Sequence, residues 1–236
     1  MIFLFLIVAG NFPFELKSFL NDAGFTLAYT PCNTNVLDGL GFHPDMQAVV
    51  IGGRLICAPE VYDYYKTLGK EHKIPVICGR TALSGNYPKD IAYNIKVVGE
   101  SVFHNFKYTD SVVCDFLGFK NKIDVSQGYS GCSICKVSDN AIITSDKMID
   151  LKAKENGMDS LLICEGEISL EGFDYGFIGG ASFYHDGRVF FFGDIKKHSD
   201  YKKIRSFCEH LGTEIVCPDE TALSDYGGAI ILPCDL

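Results

Sequence analysis

Apolar and polar positions along this chain fall into a pattern that repeats. The clearest copy spans residues 127–164, QGYSGCSICKVSDNAIITSDKMIDLKAKENGMDSLLIC. Residues 132–137 predict a strand that ends at Ser138-Asp139-Asn140, residue types suited to tight turns. A returning strand over 141–144 stops at Ser145-Asp146, a good helix N-cap pair. Met148, Leu151 and Lys152 then recur at helical spacing until Gly157, the residue type that ends helices in the left-handed conformation. A third strand over 160–164 completes a unit of strand, strand, helix, strand.

The same order recurs before and after this stretch. Residues 46–51 and 54–58 flank a Gly52-Gly53 turn, Pro59 opens a helix at its favoured first position, and 74–78 close the unit. A further copy has strands over 94–98 and 101–106, a helix from about 109 to 119 and a strand over 123–125. Another runs through strands over 180–184 and 188–192, a helix over 199–211 and a strand over 214–217. The ends are each deficient. Residues 1–30 supply a strand, a helix ending near Gly24 and a strand, whereas 228–232 supply only a leading strand. Joined, they make one more unit, so five are expected: 228–236 with 1–30, then 45–78, 91–126, 128–164 and 175–217. First strands would begin near Asp45, Asn94, Cys132, Gly180 and Gly228, a spacing of roughly 40–50 residues that suits a propeller-like ring. An open α/β sheet also alternates strands and helices, but it does not call for a hairpin ahead of each helix. The expected architecture is one α/β ring of five ββαβ units, closed by pairing of the N- and C-terminal strands.

Composition narrows the function. A formal net charge of -9 argues against sequence-independent binding to phosphate backbones, so no nucleic-acid partner is expected. Residues 1–9 (MIFLFLIVA) carry no positive leader and are too short to span a bilayer; they read as a strand buried on both faces. No membrane partner and a cytoplasmic location are expected. The ten cysteines sit mainly in apolar, strand-like runs, which reads as reduced structural thiols and not a disulfide scaffold. Cys132-x-x-Cys135 has no second pair at zinc-site spacing, and neither metal nor cofactor is expected.

Several phrases add a resemblance: His43-Pro44-Asp45-Met46, Gln127-Gly128-Tyr129 leading to Cys132, the 141–144 strand followed by Asp146, Tyr175-Gly176-Phe177-Ile178-Gly179-Gly180, and Gly193-Asp194-Ile195 with His198. Together with the five-unit pattern they resemble the pentein, or GME, fold, and within it an uncharacterised bacterial family. That resemblance implies an amidinotransferase-like propeller. Known members include hydrolases and transferases of guanidino groups, whose Cys, His and acidic residues meet at the centre of the ring, and also a ribosome-binding translation factor. In the catalytic members the Cys lies in the unit closed by the C-terminal strand. The matching stretch here, 225–234, carries Ile or Leu at those positions, with Cys234 beyond them. His43-x-Asp45 resembles the family's His-x-Asp element, displaced to another unit.

The ring model makes its own prediction about the site. Starts of the first strands converge on the axis, which nominates His43, Asp45, Asn94, Ser130, Cys132, Gly180, Ser182 and Asp225. Cys132, His43 and Asp45 are the three residue types of a thiol nucleophile, its base and an orienting acid, with His43 expected to lower the thiol pKa and Asp225 as an alternative acid. Asn94, Ser130, Gly180, Ser182 and Asp225 are expected to line a pocket for a small polar ligand. Gly176, Gly179 and Gly180 predict close backbone approach near the axis, since no helix follows them to make a phosphate loop. The function expected is a Cys/His hydrolase or transferase of guanidino-like or other polar small molecules. The alternative is a non-catalytic protein that binds partners on a ring face.

Overall fold

The computed structural model describes residues 4–232, so the expectation for Cys234 lies outside the described residues. It contains five separate three-stranded sheets. The first has β1 (Leu4–Val8) at its centre, between β2 (Phe25–Tyr29) and the chain's last described strand (Ile230–Ile231). The next is β3 (Ala48–Ile51), β4 (Arg54–Cys57) and β5 (Val76–Cys78), followed by β6 (Lys96–Val98), β7 (Ser101–His104) and β8 (Asn121–Asp124). The remaining two are β9 (Ile134–Ser138), β10 (Ala141–Thr144) and β11 (Asp159–Leu162), then β12 (Ser182–His185), β13 (Arg188–Phe191) and β14 (Glu214–Val216). The Ile230–Ile231 strand is β15.

Every sheet is built alike. Its first strand runs antiparallel to the second, and a helix carries the chain to a third strand parallel to the second. The crossover helices are α1 (Phe14–Asp22), α3 (Tyr62–His72), α4 (Ser111–Phe116), α6 (Lys147–Glu155) and α7 (Tyr201–His210). The ring closes as expected: Leu6 pairs with Ile231 and Ile7 with Ile230, and the Leu232 amide donates to the Phe5 carbonyl at 3.0 Å. Leu6, Ile7 and Val8 are fully buried, which is why this strand reads as an unbroken apolar run. Inner strands pack on one another around the axis, β6 on β9, β9 on β12 and β15 on β3.

Local chemistry sets the boundaries. Both glycines of the Gly52-Gly53 turn have positive φ, 56° and 74°, as a two-residue hairpin linking right-twisted strands requires. Helix α6 begins where Asp146 accepts the amides of Met148 and Ile149. Helix α4 starts later than the expected 109, because Asp110 takes the N-cap role and accepts the amides of Val112 and Val113, and it ends at Phe116 ahead of the expected 119. Other elements are trimmed by a few residues, as fraying ends generally are.

Two differences matter more, because they fall at the axis. Met46 is not in a strand: Pro44, Asp45, Met46 and Gln47 form one helical turn, α2 (Pro44–Gln47), ahead of β3. Cys132 also lies in a single turn, α5 (Ser130–Ser133), and β9 starts only at Ile134. The amides of Gly131 and Cys132 are both turned to the Asn94 side chain, so neither joins a ladder. Likewise β12 starts at Ser182, since the Gly180 amide donates to Cys132 O and its carbonyl accepts from Tyr226 and Gly228.

The axis is held by backbone packed against backbone. A Cβ at Gly179 would lie 2.4 Å from the Ile134 carbonyl oxygen and 2.5 Å from that of Cys132. Gly179→Ala is therefore expected to cost about 3 kcal/mol, the upper range for overpacking. Gly157→Ala meets nothing within 4 Å and suffers only its φ of +74°, roughly 1–2 kcal/mol. Urea unfolding of the two variants checks this; equal stability would refute close axial packing.

Candidate active site

Each of the five units sends a residue to the axis just before its inner strand. His43 caps the start of α2 and Asp45 lies in its single turn, Asn94 precedes β6, and Cys132 sits in α5. Gly179 and Gly180 precede β12, and Asp225 precedes β15. The Cys132 thiol donates to Asp45 Oδ2 at 2.9 Å and accepts from Asn94 Nδ2 at 3.2 Å. Asn94 Oδ1 in turn accepts the amides of Gly131 at 2.7 Å and Cys132 at 3.3 Å, so one side chain fixes both the thiol and the backbone that bears it.

Asp225 is held as firmly. Its oxygens accept the amides of Phe177 and Gly227, each at 2.9 Å, and His43 Nδ1 lies 3.8 Å from Oδ1, beyond hydrogen-bond distance. Gly180 has no room for a side chain because its Cβ would overlap the Asp225 carboxylate. Gly180 is thus the floor under Asp225. Ser130 and Ser182 spend their hydroxyls on backbone carbonyls, those of Gln127 at 2.9 Å and Ile178 at 2.7 Å. Both are buried, and neither they nor Asn94 and Gly180, expected with them to line a pocket, are among the residues lining the cavity described next.

Above this cluster opens a cavity of about 260 Å³, lined among others by His43, Met46, Cys132, Asp225, Tyr129 and Phe177. Below it lies a second of about 220 Å³, bounded by Asp45, Lys96, Lys136 and the inner strands. Cys132 faces the first and Asp45 the second, so the thiol–carboxylate pair is the partition between them. A larger open groove, about 750 Å³ near Asp146, Cys164 and Asp200, shares no residue with the cluster. Convergent chemistry, not volume, selects the axial cavity. One Cys132, one His43 and one Asp225 ligand atom all lie within 4.8 Å of one another, a set that would also suit a soft divalent ion.

Burial dominates the electrostatics. It raises the Asp45 carboxyl to about 7, with the Asp225 charge adding to it, against the opposing hydrogen bonds from Cys132 and Asn94 and the charge of Lys96. Burial also raises Asp225, with His43 and the donated amides opposing. The His43 imidazole is lowered by burial, with Asp225 acting the other way. The thiol is where expectation fails: burial, Asp45 and Asp225 push Cys132 well above its ordinary value. The resting site thus holds a neutral thiol and not a preformed thiolate, because burial disfavours the charged form and two neighbouring carboxylates add to that effect. Lys96, its Nζ 3.3 Å from the Gly131 carbonyl, is the cation beneath the cluster, and burial lowers it too. Its signal in the sequence was a lone charge inside Ile95-Lys96-Val97-Val98, an apolar inner strand. The aromatic wall of Tyr129 and Phe177 had no such signal.

Comparison with solved structures agrees with the fold. The chain is similar to DDAH from Pseudomonas aeruginosa, complexed with citrulline, at a TM-score of 0.61 and 10% identity, covering 98% of this chain and 100% of that one. It is similar to SxtG, an amidinotransferase from Microseira wollei, at 0.58 and 10% identity, covering 98% and 94%. It is also similar to the agmatine deiminase of C. jejuni, at 0.51 and 14% identity, covering 90% and 74%. No protein of curated function matches the sequence. The architecture is that of the pentein fold, as the sequence pattern implied. By sequence, the pattern of a family of unknown function (DUF6873) matches residues 7–230, and the chain belongs to that family.

Proposed function

We propose that this protein is a thiol-dependent hydrolase or transferase acting on the guanidino group of a small molecule. The observation that carries the reading is the meeting of Cys132, His43 and Asp225 within 4.8 Å at the floor of one cavity. A guanidinium suits that floor for two reasons. It is cationic, and a cation there opposes the burial that raises the Asp225 carboxyl and, behind the thiol, that of Asp45. It is also rich in N–H donors, and Asp225 can accept from them.

The guest's charge completes the site. A cation between Asp225 and Cys132 offsets the field that keeps the thiol protonated, so the nucleophile forms only when substrate is present. Cys132 Sγ then attacks the central guanidino carbon, and the carbon–nitrogen bond to the substrate's chain breaks. The proton lost by the thiol ends on the departing amine, carried by His43, whose lowered pKa leaves its ring neutral and able to accept it. The amidino group now on sulfur passes to water in a hydrolase or to a second amine in a transferase. Asp45, behind the thiol, keeps Sγ aimed along this path.

The test is intact and peptide mass measurement after acid quench, during incubation with simple guanidines. One amidino group on Cys132 is expected, with none in Cys132→Ser. Guanidine binding with neither adduct nor product would instead support the non-catalytic binding protein. His43→Ala is expected to lower kcat by about 10²- to 10⁴-fold.

The Asp45 carboxyl also predicts a pH effect on stability. Its folded pKa, about 7, exceeds the ordinary value of 3.8, so between these limits the folded state binds the extra proton. That contribution to stability is complete below the lower value and is lost as pH rises through the upper one. Asp45→Asn should therefore gain in Tm relative to wild type between pH 4 and pH 8. A Tm difference constant across that range would contradict the assignment.

A further inference from the structure

The outer half of the axial cavity differs in kind from its floor. Its wall is aromatic: the Tyr129 and Phe177 rings stack with centroids 6.5 Å apart and planes 29° from parallel. Tyr175 meets Phe177 edge-on at 6.3 Å, and Tyr87 backs Tyr129 at 5.7 Å. Phe173 and Tyr175, both lining the cavity, remain 39% and 37% exposed, large rings kept partly in water at its rim. Charge points the same way. Asp174 lines the rim, and no Lys or Arg is among the lining residues. Behind the wall, buried Asp90 accepts the Tyr129 hydroxyl at 2.7 Å while its Oδ1 has no partner.

Electron-rich ring faces beside fixed carboxylates bind cations, and they do so best where the cation is weakly hydrated. A carboxylate on the ligand would meet Asp174, the field of Asp90 and ring faces of the same sign, with no cationic side chain to receive it. Resting on the guanidino reading above, the geometry points to a substrate whose tail carries an ammonium group and no carboxylate, held in this aromatic box. The enzyme would thereby distinguish an aminoalkyl guanidine from the corresponding amino acid, two molecules that differ only in the carboxylate.

The test is calorimetric titration of Cys132→Ser, which cannot turn substrate over, with 4-aminobutylguanidine, arginine, methylguanidine and benzyltrimethylammonium. 4-Aminobutylguanidine is expected to bind at least tenfold more tightly than arginine. Adding Phe173→Leu and Tyr175→Leu, both at partly exposed positions, should weaken it several-fold and leave tail-less methylguanidine unchanged. Arginine binding as tightly as its decarboxylated form would overturn the inference. So would a loss in the double variant that is equal for methylguanidine. Binding of benzyltrimethylammonium with no guanidine bound would keep the cation box and remove the guanidino reading; binding of none of the four would remove the box.

Discussion

Five chain segments can meet at a ring axis only if backbone touches backbone there, and this constraint governs the rest of the structure. Gly179 lies against the carbonyls of Ile134 and Cys132, Gly180 against the Asp225 carboxylate, and Gly227 against Cα and Cβ of His43, with no room for a Cβ at any of them. Segments packed this closely cannot all be strands. Their amides are taken up instead by side chains at the axis: Asn94 receives those of Gly131 and Cys132, and Asp225 those of Phe177 and Gly227. Polar residues at the centre are thus structural in the first instance, since they satisfy backbone groups that no ladder reaches.

The same arrangement leaves the centre electrostatically unsettled. Asp45, Asp225 and Cys132 are each pushed towards their neutral forms, and His43 as well. Lys96 and Lys136 are the cations on the far side of the partition. A guest that brings positive charge and N–H donors to the upper cavity relieves both deficits at once. Binding and activation of the thiol are, on this account, one event. A site that is inert until occupied also keeps its thiol from reacting with other electrophiles.

Much of this was legible in the sequence, and the reasons differ by residue. The ring could be read because hairpin turns such as Gly52-Gly53 have few conformational solutions, and because a strand buried on both faces over 6–8 leaves an unbroken apolar run. Cys132, His43, Asp45, Asn94 and Asp225 could be nominated because pseudo-symmetry places the starts of inner strands together. The same rule overreached at Ser130 and Ser182, where a hydroxyl one turn away from the cavity bonds the nearest carbonyl. It also began the strands inside the turns at Pro44–Gln47 and Ser130–Ser133, at Met46 and Cys132, since four residues carry no period long enough to tell a turn from a strand. The thiol's raised pKa was out of reach, because it depends first on how deeply the thiol is buried and then on the carboxylates beside it. In the resemblance the nucleophile belongs to the C-terminal unit; here the only axial thiol among the described residues comes from the 128–164 unit, and the C-terminal one supplies Asp225. Near-equivalence of the units around the axis is what permits such an exchange of positions.

At the centre of the account is a thiol that ionises in response to a cation in the upper cavity. The most direct measurement compares the rates at which 2-chloroacetamidine, a cation, and 2-chloroacetamide, its neutral isostere, alkylate Cys132 across pH 6–10, with peptide mapping to locate the label. The prediction is that the amidine reacts at least tenfold faster near pH 7, while the amide reacts slowly and climbs past pH 9 without a plateau. Equal rates for the two reagents, or an amide rate that levels off below pH 7, would contradict it.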